Sequence, residues 1–313
     1  MALNSKEVVT DLSPLLKVYK GGTVERFFNS PYMAPSLEDP TTGISSKDIT
    51  ISSDFSARFY LPKIKDSTQK LPILVYFHCG GFCTESAFSI LHHNYLNLLV
   101  SEANALAVSV AYRLAPEHLL PDSWAVLQWI ASHVVDNSNI QKENWILSHA
   151  NFNKVYIGGD SSGANIVHNI AMRAGVESLN GNVKILGGFL SHPFFWDPEN
   201  KKENVEESMI YRVWKFAYPS APNGLENPMI NPLADDAPSL SKIGCSRLFV
   251  CTSEKDELRE MTGLYVETLK KSGWKGEVEL VEVEGEDHCF HIFNIQSEKA
   301  KNLVKLLASF IKN

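Results

Sequence analysis

Ser161 stands in Gly159-Asp-Ser-Ser-Gly163, the Gly-x-Ser-x-Gly spacing that can present a serine as a nucleophile. A hydroxyl attacks poorly at neutral pH, so it needs a base to take its proton and a third group to hold that base in the right tautomer. Both partner types follow in the chain, Asp256 in Ser253-Glu-Lys-Asp-Glu-Leu258 and His288 in Gly285-Glu-Asp-His-Cys-Phe-His291. A tetrahedral intermediate carries negative charge on the former carbonyl oxygen and must be met by amide donors. Gly80 and Gly81, in His78-Cys-Gly-Gly-Phe82, offer bare backbone amides, and Ser162 offers a third. The chemistry these residues could perform is acyl transfer through a serine ester.

Each of these residues also has a plainer reading. A Ser/Gly turn before a helix matches the five-residue pattern equally well, Asp256 would suit a helix cap before Glu257, and Gly80-Gly81 would suit a tight turn. His291 competes with His288 for the base; His288 is preferred because it lies nearer the strand end, in a turn after Gly285, with His291 packed beneath it. Asp287 reads as a solvated loop acid, and His92, His93, His133 and His168 read as structural.

What favours catalysis is the set of elements around these residues. Val155, Tyr156 and Ile157 form a strand closed by Gly158 and Gly159, while Val167, Ile170, Ala171 and Ala174 repeat with helical period, so Ser161 falls on an abrupt strand-to-helix turn. Leu71 to Phe77, Ala105 to Tyr112, Val183 to Leu190, Arg247 to Thr252 and Val278 to Val283 read as further strands, most of them near-continuous apolar runs covered on both faces. Helical segments around Trp124 to Val135, Leu258 to Lys271 and Leu303 to Phe310 alternate with them, which predicts an α/β fold with a mostly parallel central sheet and helices on both faces. The alternation from Asp48 to Leu61 predicts antiparallel strands at one edge. Reactive groups in such sheets gather at the carboxyl ends of the strands, where Gly80, Ser161, Asp256 and His288 all fall. The whole chain, 1–313, reads as one domain; residues 1–40 form an arm too small to fold alone, and 196–238, rich in aromatics and turn residues, reads as an irregular inserted cap.

Composition narrows the partners. A net charge of -7 over 313 residues argues against nucleic acid and anionic membrane, leaving a small-molecule substrate. Cys79, Cys83, Cys245, Cys251 and Cys289 show neither disulfide nor zinc spacing and read as buried thiols of a reducing compartment. The first residues lack signal-peptide character and no apolar run reaches membrane-span length, so a cytoplasmic location is expected. No cofactor or metal is implied, and oligomeric state is not encoded in any pattern.

Taken together, Val24-Glu-Arg26, Ser56-Ala-Arg58, His78 to Phe82, Tyr112 to His118, Gly159 to Asn165, Asn231-Pro232, Glu254-Lys-Asp256 and His288 to His291 resemble the plant carboxylesterases of the hormone-sensitive-lipase-like group of α/β-hydrolases. The resemblance implies Ser161, Asp256 and His288 as triad, Gly80, Gly81 and Ser162 as oxyanion donors, and a cap of the arm and 196–238 over an apolar pocket; Tyr32, Cys79, Trp196, Trp214 and Met229 are the candidate pocket residues. Asn227-Pro-Met-Ile-Asn-Pro232, Gly244-Cys-Ser-Arg-Leu248 and Lys271-Ser-Gly-Trp-Lys-Gly276 look most like the branch holding the cyclases and hydrolases of monoterpene indole alkaloid biosynthesis, the catharanthine and tabersonine synthases among them. Three departures stand out: Cys79 replaces the first glycine of the usual His-Gly-Gly-Gly loop, Ser162 replaces a common alanine, and the stretch after Pro121 is short by about one helical turn.

The reading that follows is a serine carboxylesterase acting on a small apolar ester of plant specialised metabolism, for example an alkaloid methyl ester whose freed acid then loses carbon dioxide. A lyase or cyclase using the same relay without an acyl-enzyme is the alternative. A non-catalytic receptor fits less well, because the gibberellin receptors of this group lack the histidine that His288 supplies here.

Overall fold

The apolar runs become the strands of one eight-stranded sheet in a computed structural model that describes residues 7–52, 55–66, 68–118, 123–135, 142–196 and 205–313. Before that sheet the arm forms a small antiparallel sheet of its own, β1 (Val8–Leu12), β2 (Leu16–Tyr19) and β3 (Val24–Arg26). Then come β4 (Ser45–Thr50), β5 (Ser56–Leu61), β6 (Leu71–Phe77), helix α1 (Ile90–Ala103) and β7 (Leu106–Ala111). Helices α2 (Trp124–Ala131) and α3 (Asn144–His149) lead into β8 (Ala150–Asp160), α4 (Ser162–Ala174) and β9 (Ile185–Ser191). The remainder is α5 (Met209–Ala217), β10 (Arg247–Ser253), α6 (Arg259–Lys271), β11 (Glu277–Val283), a short α7 (Phe290–Phe293) and the closing α8 (Glu298–Lys312).

The strand order is β11-β10-β9-β8-β6-β7-β5-β4, parallel from β11 to β7 and antiparallel at β5 and β4, as the alternation between Asp48 and Leu61 predicts. β6 is flanked by β7 and β8 and buried along nearly its whole length, so both its faces need apolar residues. One core holds Ile73, Val75, Ile157, Val167 and Leu248; the other holds Leu74, Tyr76, Tyr156, Phe249 and Leu307. These two clusters are what the alternation of side chains across a doubly covered sheet produces. Among the described residues no helix is long and apolar enough to cross a membrane, and all five cysteines are buried free thiols.

Two segments differ from expectation. The arm's strands escaped the sequence reading because they are short and half-exposed, with only Leu12 and Leu16 fully inside. The region after Trp196 carries α5 rather than only irregular chain, and its Ile210, Val213, Trp214 and Ala217 face inward. The arm is tied to the core by Arg26, whose guanidinium donates to the carbonyls of Cys83 and Ala115 and pairs with Glu117 at 2.7 Å. It meets α5 through Arg212, which donates to the Asp11 carbonyl. The shortening expected after Pro121 and the first six residues lie outside the described residues, as do 197–204 of the insertion.

Candidate active site

Strand β8 and helix α4 leave almost no room at the turn between them. A side chain on Gly159 would meet the Gly163 backbone at 2.5 Å, and one on Gly163 would sit 2.0 Å from the Phe77 carbonyl oxygen at the end of β6. Ser161 consequently takes φ 54° and ψ -117°, a strained conformation for any residue with a Cβ. Its backbone is held there from three sides: its amide donates to Ser191, and its carbonyl accepts from Phe194 and Asn165. This is the elbow expected from Gly159-Asp-Ser-Ser-Gly163. Ser162 opens α4, so its amide is one of the first-turn donors with no acceptor inside the helix.

Asp256 lies in the turn between β10 and α6 and does two things. Its Oδ1 accepts from the Leu258 amide at 3.0 Å and closes the turn before α6; that helix opens at Arg259 without a side-chain cap, so Asp256 is not the cap expected before Glu257. Its Oδ2 accepts from His288 Nδ1 at 2.9 Å, the geometry that a Ser-His-Asp arrangement requires. Burial pushes the Asp256 carboxyl up, yet the hydrogen bonds from His192 and His288 outweigh it and hold the group well below the usual carboxylate range. His288 sits in the turn after β11, one-third exposed (34%), and borders the same cavity as Ser161. With Nδ1–H given to Asp256, its Nε2 lone pair is free to serve as base.

His192 was not foreseen as a site residue. It follows β9, takes φ 51°, and gives Nδ1 to the same Asp256 Oδ2 at 2.7 Å from a completely buried position. Nothing in Ser191-His192-Pro193 marks it; only its place at a strand end, opposite the β10 turn, could have. His291 is buried and stacks on His192, with Nε2 at 2.7 Å from Asp160, whose other oxygen accepts from the Tyr76 hydroxyl at 2.6 Å. His92 is structural as well, 3.1 Å from that same hydroxyl, and burial lowers it to about 3.

Gly80 and Gly81 border the cavity, with φ of 122° and 58°. A side chain on Gly80 would meet the Thr84 carbonyl oxygen at 2.2 Å, so that position excludes a Cβ on two grounds. Cys79 is also in the cavity wall, buried, with Sγ 3.7 Å from His92 Nε2. The cavity holds about 380 Å³. Leu15 and Phe28 of the arm, Met209, Ile210 and Val213 of α5, Phe194 and Phe293 make most of its wall; Lys255, Glu257 and Asp287 add charge.

Four of the candidate pocket residues do not line it. Tyr32 is 65% exposed, bridged to Ser89 at the surface. Trp214 is buried in the main core, where its indole N–H donates to the Gly224 carbonyl and its ring meets Phe82 and Tyr218. Trp196 is buried, with its amide on Ile230, and Met229 offers its carbonyl to Asn165 and Asn169. These large side chains pack or project elsewhere and do not face the cavity. A larger and more open groove of about 690 Å³ lies at the other end of β9, around Lys184, Ser246 and Trp274, away from every residue of the relay.

His192, Asp256 and His288 also bring ligand-type atoms within 4.8 Å of one another. Both rings already give Nδ1–H to the carboxylate, so a cation there would have to displace two hydrogen bonds. The arrangement suits proton transfer.

Residues 74–292 match the family described by the alpha/beta hydrolase fold. The chain is 50% identical to a 2-hydroxyisoflavanone dehydratase of Glycyrrhiza echinata, over 98% of this chain and 97% of the relative. It is equally similar, 50% over 99% of both chains, to hydrolase 3 of Catharanthus roseus. Catharanthine synthase of the same plant is 49% identical over 99% of this chain and 97% of its own.

Proposed function

The chain belongs to the alpha/beta hydrolase fold family, and from that premise we propose that it is a serine carboxylesterase of small, largely apolar esters. The observation that carries this reading is one cavity bordered both by the strained Ser161 and by His288, with His288 anchored through Nδ1 to a buried, ionised Asp256. Ser161 Oγ attacks the ester carbonyl as His288 Nε2 takes its proton. The amides of Gly80, Gly81 and Ser162 meet the oxyanion, and His288 returns the proton to the leaving alcohol. Water then repeats the sequence and frees the acid.

The apolar wall suits a compact ester of plant specialised metabolism, such as an alkaloid methyl ester whose acid loses carbon dioxide after release. In this reading the arm through residue 40 and the 196–238 insertion serve as cap over a single catalytic domain. The enzyme works on small molecules in the cytosol, with neither nucleic acid nor membrane as partner.

One observation favours a second reading, a lyase or cyclase. Near-equal identity to a dehydratase, a hydrolase and a synthase means that overall similarity does not select the reaction. The two readings differ in mass balance, since hydrolysis adds water and cyclisation does not. The experiment is turnover of p-nitrophenyl butyrate by the wild type and by Ser161→Ala. The expected result is loss of at least about a thousandfold in kcat, the scale on which removing a triad member acts. Full turnover by the alanine variant, or an inert wild type, would reject the esterase reading.

A further inference from the structure

Asp256 Oδ2 accepts two hydrogen bonds, from His288 at 2.9 Å and from His192 at 2.7 Å, where the proposed relay uses only the first. His192 is completely buried and does not border the cavity, so it cannot touch substrate. Its Nε2 is buried without a partner, which an N–H there would make costly and a bare lone pair makes tolerable. The ring is fixed on every side. It stacks on His291 at 5.6 Å and 14°, stands edge-on to His288 at 5.4 Å and to Phe290 at 6.2 Å, and its own amide is held by the Cys251 carbonyl.

We infer that His192 is a positioning residue for the catalytic base: a neutral Nδ1–H donor that fixes the Asp256 carboxylate and shares its Oδ2 with His288. The inference rests on the acyl-transfer reading of this site. Two donors on one oxygen leave less of the carboxylate's charge for the imidazolium that forms as Ser161 is deprotonated, so His192 sets both the orientation and the strength of the base. Burial lowers His192 to about 4, against the pull of Asp256, so the donor stays uncharged in the working range. The other groups around the pair are Lys255 and Glu257 from the β10 turn, Asp287 and Cys289 from the β11 turn, His291 from α7, Cys251 from β10, and Asp160 with Ser161 from the elbow.

The test uses the full chain in two ways. In the wild type labelled with 15N-histidine, the imidazole spectrum between pH 6 and 8 should show His192 as the neutral Nδ1–H tautomer. An Nε2–H or doubly protonated ring would overturn the inference, and this needs neither a variant nor a substrate.

Turnover of p-nitrophenyl butyrate is then followed against pH in His192→Leu and His192→Asn. The leucine variant should lose kcat by roughly tenfold, the lower end of what a hydrogen bond to a charged group is worth, with KM within about twofold. The acid limb of its profile should move to higher pH, because the carboxylate has lost a donor. The asparagine amide, whose N–H can take the place of Nδ1–H, should recover most of kcat and return the limb. Equal profiles in the two variants, or a loss confined to KM, would reduce His192 to packing. A wild type inert toward the ester would instead reject the esterase reading and leave the tautomer measurement to decide His192.

Discussion

At the scale of single residues, the site depends on atoms that are missing as much as on those present. Ser161 holds a backbone conformation that costs on the order of 1–3 kcal/mol, and it persists because Ser191, Phe194 and Asn165 fix both its peptide groups. The same crowding makes Gly163 a sharper test than the serine itself. In Gly163→Ala the new methyl would sit 2.0 Å from the Phe77 oxygen and 2.7 Å from that of His78, where backbone must move. The displaced segment leads straight into Gly80 and Gly81. Stability should fall by about 1–3 kcal/mol, the cost of overpacking, and ester turnover by about a hundredfold, the cost of a roughly 1 Å misplacement. Urea midpoints and kcat report the two effects, and a variant normal in both would show that the elbow relaxes. Ser161, Asp256 and His288 were legible because each motif is local and falls at a strand end. His192 was not, because its role is created by the pairing of β9 with β10, which brings it to an acid 64 residues away.

At the scale of elements, β6, β8, β9 and β10 could be read from the chain because strands covered on both faces need unbroken apolar runs. The residues that line the cavity could not. Trp214 and Trp196 stand out in sequence but are buried away from it, while smaller residues on α5 border it. Helix α5 therefore decides acyl size in the proposed reaction. Met209, Ile210 and Val213 present one face to the space above Gly81, and Val213 Cγ1 lies 3.1 Å from where a Gly81 Cβ would be. Met209 is only partly buried, so enlarging it disturbs the cavity more than the core. Met209→Trp should shift preference along a p-nitrophenyl acetate, butyrate, octanoate series toward acetate, lowering kcat/KM for octanoate by about tenfold or more while acetate changes little. An unchanged profile would remove α5 from the acyl site.

Over the whole molecule, the feature with the widest consequence is the number of histidines folded into the interior as neutral rings. Burial lowers His78 and His192 to about 4 and His92 and His168 to about 3, from an ordinary value of 6.5. The unfolded chain therefore binds protons that the folded chain refuses, and stability must rise with pH across the window from about 4 to 6.5. At pH 5.5 each ring withholds about 1 kcal/mol, so the four together remove about 4 kcal/mol relative to neutral pH. That is comparable to the 5–15 kcal/mol by which domains are ordinarily stable, roughly. Asp160 and Asp256, both held below the usual carboxylate range, act in the same direction but only further down. Their share is present above about pH 4 and lost as pH falls through their lowered values. The urea midpoint should drop steeply between pH 7.5 and 5.5, well before carboxylates titrate, and a flat midpoint over that interval would mean that these rings take up protons without unfolding. In His192→Leu one of the four is removed, so the slope should be shallower by about a quarter even though the relay is impaired. Catalysis and acid stability thus draw on the same buried ring in opposite ways.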